Sequence, residues 1–149
     1  MEIIGGSCRF GLWFVHVWWN GMIVHQVRFA TTGISGEVPA LIRQYCGGRN
    51  VRLSQLDSIA IHEDTVYSRI YHAVQDIPYG STSTYGEIAA RVRTSPRVVG
   101  QAMARNPTPL VVPCHRILAA DGVGGFTPSV DIKMALLAME KKGLRRVKI

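Results

Sequence analysis

The cysteine in VVPCHRIL, residues 111–118, lies between a proline and a His-Arg pair. A thiolate is a good nucleophile and a thiol a poor one, so a reactive cysteine needs its pKa lowered from about 8.5. Three local features favour a reactive Cys114. The proline stiffens the backbone, a helical turn starting there would favour a negative sulfur, and His115 and Arg116 are basic neighbours. A cysteine among valines is otherwise a common core residue, and that alternative stays open.

A reactive thiol also needs a base, and the base needs a third group to orient it. His115 is the nearest candidate, although neighbours in sequence do not necessarily face each other, so it could act through a water molecule. Glu140, on the last predicted helix, is a candidate for orienting the imidazole. Sequence spacing alone does not place it there.

Two short helices upstream of the cysteine form a predicted helix-turn-helix. The first begins at the capping box of residues 84–87 and runs to about Val92. Ser95 is the predicted N-cap of the second, with Pro96 in its first position. Gly100 and two alanines keep one part of the second helix small, which lets a ligand or backbone come close. A packed helical pair without a ligand would have the same pattern.

The positive charge is confined to the second part of the chain. Residues 1–67 contain five Lys/Arg and five Asp/Glu, whereas residues 68–149 contain twelve and five, so the whole net charge of +7 lies there. A basic half beside a neutral half favours a face for a polyanion such as DNA. A solvated basic surface is the alternative.

The remaining pattern predicts an α+β fold with two domains, a small α+β domain over 1–63 and a mainly helical domain over 64–149. Asn20-Gly21 separates two apolar runs, 10–19 and 22–29, which is typical of a β-hairpin. Other expected helices cover 38–45 and 64–76, and a last one begins at Ser129 or Asp131 and stops at Gly143.

Cysteine usage and hydropathy predict a soluble cytoplasmic protein. Cys8, Cys46 and Cys114 are an odd, widely spaced set, which argues against a disulfide framework or a cysteine zinc site and fits a reducing compartment. No signal-peptide pattern is present, and no apolar run reaches the roughly 20 residues that span a bilayer. His16 and His25 lie on opposite hairpin strands without further ligands, so no metal is expected.

The segment NPTPLVVPCHRIL, residues 106–118, closely resembles the active-site signature of the O6-alkylguanine-DNA alkyltransferases, the methylated-DNA–protein-cysteine methyltransferases. The likeness extends over about residues 66–143. It includes IPYGSTSTYGEIA (77–89), RVVGQAMARNP (97–107), VGGF (123–126) and KMALLAMEKKG (133–143).

This resemblance implies direct DNA repair without a cofactor. Some members of the family carry a structural zinc in the N-terminal domain, but no cysteine or histidine cluster that would bind it is seen in this sequence, so no metal is expected. The alkyl group of O6-alkylguanine in double-stranded DNA, and also of O4-alkylthymine, would pass to Cys114 once and irreversibly. His115 would be the water-mediated base and Glu140 its orienting group. Asn106 would hold the active-site turn, and Tyr85 would hydrogen-bond the flipped guanine and protonate it. The resemblance also implies a monomer with no obligate protein partner.

The resemblance further implies which residues bind DNA and the substrate. Arg97 would enter the duplex and fill the gap left by the extruded base. The other expected DNA contacts are Tyr85, Gly86, Ser95, Gly100 and Arg116, and the expected pocket residues are Val123, Phe126 and Thr127. After Phe126 the family usually has a small hydroxyl residue and two glycines. Here Thr127-Pro128-Ser129 follows, and the proline narrows the loop, which leaves the size of tolerated adducts open.

Three other functions are compatible with parts of the sequence. A sensor of alkylated DNA binds without reacting, but such proteins lack the cysteine of this motif and usually have tryptophan there. A Cys-His thiol hydrolase would need an oxyanion hole and would not explain Arg97. A plain helix-turn-helix regulator would leave the PCHR turn without a purpose.

Overall fold

The N-terminal part of the protein is a mixed sheet with one helix. A computed structural model describes residues 2–145, so the basic residues Arg146 and Lys148 lie outside the described range. In chain order the elements are β1 (Ile4–Phe10), β2 (Trp13–Asn20), β3 (Ile23–Ala30), α1 (Ala40–Cys46) and β4 (Asp57–Ser58). The strand order is β1-β2-β3-β4, antiparallel except for the parallel β3–β4 pair.

The predicted hairpin and short helix are confirmed, and the sheet has two strands, β1 and β4, more than predicted. The apolar run 10–19 contains the end of β1, a turn and most of β2. Gly11 makes that turn possible with φ of +55°, a left-handed conformation that glycine adopts without steric cost.

A β-bulge decides which residues of β3 face the core. The pairing with β2 shifts between Trp18 and Trp19, so that His25 is the extra residue on β3. Because of this shift, the buried positions of β3 are Val24 and then Val27, three residues apart instead of two. Simple alternation along the strand would therefore not predict which residues in the second half of β3 face the core.

The second part is mainly helical, as predicted. Its elements are α2 (Val66–Gln75), β5 (Ser83–Thr84), α3 (Tyr85–Val92), α4 (Pro96–Ala104), β6 (Ile117–Leu118) and α5 (Val130–Leu144). Strands β5 and β6 pair in parallel and connect the start of α3 to the segment after Cys114. No helix in residues 2–145 is long and apolar enough to cross a membrane.

The helix-turn-helix formed by α3 and α4 has the predicted caps. The Thr84 hydroxyl accepts from the Glu87 N–H at 3.1 Å, and the Ser95 hydroxyl accepts from the Val98 N–H at 3.2 Å. The Glu87 carboxylate accepts from the Thr84 hydroxyl at 3.1 Å, whereas the capping box predicted that it would bond the Thr84 N–H. Between the helices Arg93 is left-handed, with φ of 63°, and reverses the chain.

The prediction that the last helix stops at Gly143 is wrong, because α5 continues through it to Leu144. Gly143 is buried against Tyr79, and a Cβ at this position would lie only 2.3 Å from the Tyr79 hydroxyl oxygen. The glycine therefore allows Tyr79 to pack against the helix, rather than ending it. Ser129 is the N-cap, and its hydroxyl accepts from the Asp131 N–H at 3.1 Å.

Two hydrophobic clusters form the core, and the segment before Cys114 joins them. The first contains the sheet and α1 together with Leu110 and Val111, and with Ile132 and Leu136 of α5. The second contains buried residues of α2, α3 and α4 together with Val112. The division at residue 63 stays a prediction, and apolar packing between the two parts crosses it.

Candidate active site

Cys114 begins a single 3₁₀ turn, Cys114–Arg116, at the base of a cavity of about 470 Å³. Its side chain is buried, with 8% of the residue exposed. The Asn106 amide holds the preceding backbone, because it donates to the Val112 carbonyl at 2.9 Å and accepts from the Thr108 N–H at 3.0 Å. The backbone that leads into the cysteine is therefore held in place by one amide side chain.

The resting thiol is protonated. Burial raises the pKa of Cys114 to about 11, although a hydrogen bond from Asn106 and the charge of Lys133 act in the opposite direction. The N–H groups of Cys114 and His115 lower this pKa, as expected for the start of a turn, but burial outweighs them. The helical turn has only three residues, and the Arg116 guanidinium is bound elsewhere. A reaction at this sulfur needs a base that removes the proton when the substrate is present.

His115 and Glu140 form a buried pair in which His115 Nε2 lies 2.6 Å from Glu140 Oε2. Both side chains are 1% exposed. A carboxylate only accepts, so the geometry assigns the imidazole proton to Nε2. Nδ1 has no hydrogen-bond partner among the described residues, so its lone pair is free. Burial lowers the pKa of His115, against the raising effect of Glu140, and the imidazole is neutral and able to accept a proton near pH 7.

Glu140 remains an anion because it accepts from several donors. Burial by itself would raise its pKa, but the hydrogen bonds from His115 and Arg116 and the positive charge of Arg116 outweigh burial and lower the pKa. The Gly80 N–H also donates to Oε1 at 2.9 Å. The carboxylate thus has a fixed charge and a fixed orientation, which is what a group that orients a histidine requires.

The structure corrects the prediction that Arg116 contacts DNA. Only 7% of the residue is exposed. Its Nε lies 2.9 Å from Glu140 Oε1, its Nη2 lies 3.0 Å from Oε2, and its Nη1 donates to the Ile77 carbonyl at 2.8 Å. A guanidinium has five N–H donors in a fixed fork, and this fork is directed inward at a carboxylate. Arg116 therefore stabilises the charge of Glu140 and does not face solvent.

Tyr45 and Lys133 belong to the same buried surroundings, and neither was predicted to be functional. The Tyr45 hydroxyl, on α1, donates to Glu140 Oε2 and lies 3.2 Å from His115 Nε2. Lys133, on α5, is fully buried and its Nζ donates to the Ile117 carbonyl at 2.5 Å. A lysine between the core positions of α5 is a sequence signal that could have identified Lys133. Tyr45 is 70 residues from His115, and no local pattern connects them.

The cavity above Cys114 contains most of the predicted substrate residues. Tyr85, Gly100, Phe126 and Thr127 line it. The other lining residues from the second part are Met103, Ala104, Asn106, Pro107, Pro109, Gly125 and Pro128. Val123 is not among the lining residues, which corrects the prediction for that position. It lies in the loop before them, where it is half-buried.

One wall of the cavity comes from the N-terminal sheet, which the sequence did not predict. Gln26, Val27, Arg28 and Phe29 of β3 line it, and the Phe29 ring lies 5.7 Å from the Phe126 ring. The cavity volume is within the usual range of about 300–1,000 Å³ for small-molecule sites. The N-terminal part is therefore a component of the site as well as a support for it.

The predicted DNA-binding residues of the helix-turn-helix are on the surface. Gly86, Ser95 and Arg97 are exposed, and Arg97 lies in the first turn of α4. Tyr85, the first residue of α3, is half-buried between this surface and the cavity. Burial and the neighbouring Cys114 raise the pKa of Tyr85, so its hydroxyl keeps a proton that it can donate. The exposed helices and the buried sulfur are thus connected through one cavity.

Residues 65–142, which contain Cys114, His115 and Glu140, match the family model described as 6-O-methylguanine DNA methyltransferase, DNA binding domain. The chain belongs to this family. A methylated-DNA–protein-cysteine methyltransferase of Methanopyrus kandleri is 49% identical over 71 residues, which cover 48% of this chain and 54% of that protein. One of Methanocaldococcus jannaschii is 39% identical over 90 residues, covering 60% and 54%. The chain spans about half the length of these curated relatives.

Solved structures of the methyltransferase family have the same fold. A variant of the O6-methylguanine methyltransferase of M. tuberculosis aligns with a TM-score of 0.77 and 23% sequence identity. The alignment covers 99% of this chain and 96% of that chain. The prediction of an α+β fold with a helical second part is therefore confirmed.

The two hairpin histidines take part in local hydrogen bonds. His16 Nε2 lies 2.6 Å from the Thr32 carbonyl, and His25 Nε2 lies 2.9 Å from Asn20 Oδ1. Within residues 2–145, no group of three or more His, Cys, Asp or Glu side chains is placed to hold a metal ion.

Proposed function

We propose that this protein repairs DNA by transferring the alkyl group from O6 of guanine, and from O4 of thymine, to Cys114, once per molecule. The observation that carries the proposal is the buried thiol at the base of the cavity, next to a neutral histidine held by an anionic glutamate. This arrangement lies inside the segment that matches the family.

The first step is removal of the thiol proton. The proton passes to the free lone pair of His115 Nδ1, through one bridging water, because the Nε2 proton is held by Glu140. The imidazolium that forms is stabilised by the carboxylate 2.6 Å away. Burial, which keeps the thiol neutral at rest, also leaves the new thiolate poorly solvated and therefore reactive.

The second step is an in-line displacement at the alkyl carbon. A bond forms between Cys114 sulfur and the carbon as the bond between that carbon and guanine O6 breaks. Tyr85, whose hydroxyl keeps its proton, donates to the departing guanine. The product is a thioether, which has no carbonyl for water to attack, so the cysteine is not regenerated. The proton that His115 took from the thiol then passes through water to the Tyr85 oxygen, so both groups end neutral, and the step requires no cofactor.

Access to O6 requires that the base leave the helix. This atom is stacked within the duplex, and extrusion costs a few kcal/mol. A side chain in the vacated space offsets part of this cost. Exposed Arg97 on α4 is suited to that role, and Gly100 of the same helix lines the cavity that would receive the base. Phosphate contacts from the basic part would add affinity without sequence preference.

The experiment uses a duplex with one O6-methylguanine. Intact mass and peptide mapping should find one added methyl group, on Cys114, at one equivalent per protein, and Cys114→Ala should take none. Protein that binds the duplex but stays unmodified would support the non-reacting sensor, the alternative that Cys114 disfavours. Repeated turnover would rule out both.

A further inference from the structure

Tyr45 connects the N-terminal part of the protein to the His115–Glu140 pair. It lies on α1, is fully buried, and its ring packs against His115 with 6.3 Å between the ring centres. Its hydroxyl donates to Glu140 Oε2 and lies 3.2 Å from His115 Nε2. The hydroxyl thus contacts both members of the pair. On Glu140 it contacts Oε2, the same oxygen that accepts from the imidazole.

A hydroxyl at this position needs a reason, because burying one costs free energy unless it is hydrogen-bonded. A phenylalanine ring would fill the same space without that requirement. The carboxylate already accepts from Arg116, Gly80 and His115, so Tyr45 is not needed to satisfy it. Burial and the nearby Glu140 raise the pKa of Tyr45 well above its usual value, so the hydroxyl remains a donor.

The geometry gives this donor two effects on the imidazole. Its hydrogen bond to Glu140 Oε2 partly neutralises the negative charge on that oxygen, which weakens the attraction between the carboxylate and a protonated His115. Its oxygen offers a second, weaker acceptor to the Nε2–H of His115. The first effect keeps the imidazole neutral, and the second keeps its proton on Nε2, so that Nδ1 is free to accept from the thiol.

We propose that Tyr45 is a positioning residue for alkyl transfer, which holds His115 in the Nε2–H tautomer and keeps it a neutral base. The inference rests on the proposed function of Cys114 and His115. Through the Tyr45 hydroxyl, the N-terminal part would also help to set the protonation state of the base.

This role is measurable in the fall of the reaction rate at acid pH, the acid limb of the pH–rate profile. At acid pH His115 becomes an imidazolium, which cannot accept the thiol proton. The titratable groups around the imidazole are Glu140 and Lys133 on α5, Arg116 and Cys114 on its own turn, and Tyr45 on α1. Removing the Tyr45 hydroxyl leaves Glu140 Oε2 more negative toward His115. The 2.6 Å contact to the carboxylate outweighs the lost 3.2 Å contact, so the imidazolium is favoured.

The test is Tyr45→Phe, with the single-turnover rate measured against pH at saturating methylated duplex. We expect a rate about 10-fold lower near pH 7, a part of the roughly 10²- to 10⁴-fold that a general base contributes. The acid limb should move to higher pH, and the dissociation constant for DNA should not change. Tyr71→Phe is the matched control. It removes a buried hydroxyl that donates to the Ala102 carbonyl at 2.9 Å, and should leave the acid limb in place.

A second measurement is independent of DNA and of activity. Nitrogen NMR of histidine-labelled protein should show the Nε2–H tautomer of His115 in the wild type, with contacts from a slowly exchanging Tyr45 hydroxyl proton. In Tyr45→Phe the imidazole should titrate at higher pH. The role of Tyr45 would be overturned if Tyr45→Phe had the same acid limb and the same His115 titration as the wild type. It would also be overturned if the wild type showed no contact from the Tyr45 hydroxyl proton. If the wild-type protein accepts no methyl group from the duplex, the proposed function is refuted instead. The NMR titration of His115 then still tests whether the Tyr45 hydroxyl affects the imidazole.

Discussion

Replacement of Arg116 by methionine separates a buried structural role from a DNA contact. Arg116 is 7% exposed and holds Glu140 by two hydrogen bonds, at 2.9 and 3.0 Å. Removing one partner of a buried ion pair typically costs about 3–5 kcal/mol, because the other charge is left uncompensated. Methionine keeps most of the volume, so the loss reflects charge and hydrogen bonding rather than a cavity. We expect Arg116→Met to lower the free energy of unfolding by about 3 kcal/mol at neutral pH.

Urea unfolding followed by tryptophan fluorescence measures this loss, with the midpoint and slope fitted for each variant. Lys142→Met, an exposed cation on α5, is the matched control and should change stability by less than about 0.5 kcal/mol. Binding of unmodified duplex is measured over a range of salt concentrations. For folded Arg116→Met the salt dependence should equal that of the wild type, because no phosphate contact has been removed.

The opposite pattern would refute the reasoning. If Arg116 faced a phosphate, its replacement would scarcely change the unfolding midpoint and would reduce the slope of log affinity against log salt by about one. That result would also require another explanation for the anionic state of Glu140, since the hydrogen bonds and charge of Arg116 help to lower its pKa.

Two further results are expected from the same site. Arg97→Ala should slow repair of duplex DNA far more than reaction with free O6-methylguanine base, since the exposed side chain acts on the duplex, and equal slowing of both would remove that role. The single-turnover rate of the wild type should be level near neutral pH and fall at acid pH with a midpoint below 6.5, because burial lowers the pKa of His115 and protonation blocks it as a base. A midpoint above 6.5, from a pH series with the unfolding transition monitored at each point, would contradict this.

Features that depend on neighbouring residues were predictable from the sequence. Thr84 and Ser95 cap helices whose N–H groups lie three residues away, and Asn20-Gly21 makes a turn between adjacent strands. These hydrogen bonds are set by spacing along the chain, so residue type and position suffice. The cysteine motif could be recognised in the same way, because its residues are contiguous.

Features that depend on packing were not predictable in this way. The inward direction of Arg116, the raised pKa of the Cys114 thiol and the wall supplied by β3 all depend on which surfaces meet. The local pattern around Gly143 misleads for the same reason, because it is identical whether a glycine ends a helix or admits Tyr79.

The sequence by itself identified Cys114, His115 and the helix-turn-helix as candidates from residue types and spacing, and the kind of chemistry from the resemblance to a known family. Only the tertiary structure decided how the groups are arranged. Tyr45 contacts residues 70 and 95 positions away, and Glu140 receives donors from three separate parts of the chain. Burial then sets the charge states, because the cost of an ion depends on the solvent and partners that folding leaves around it.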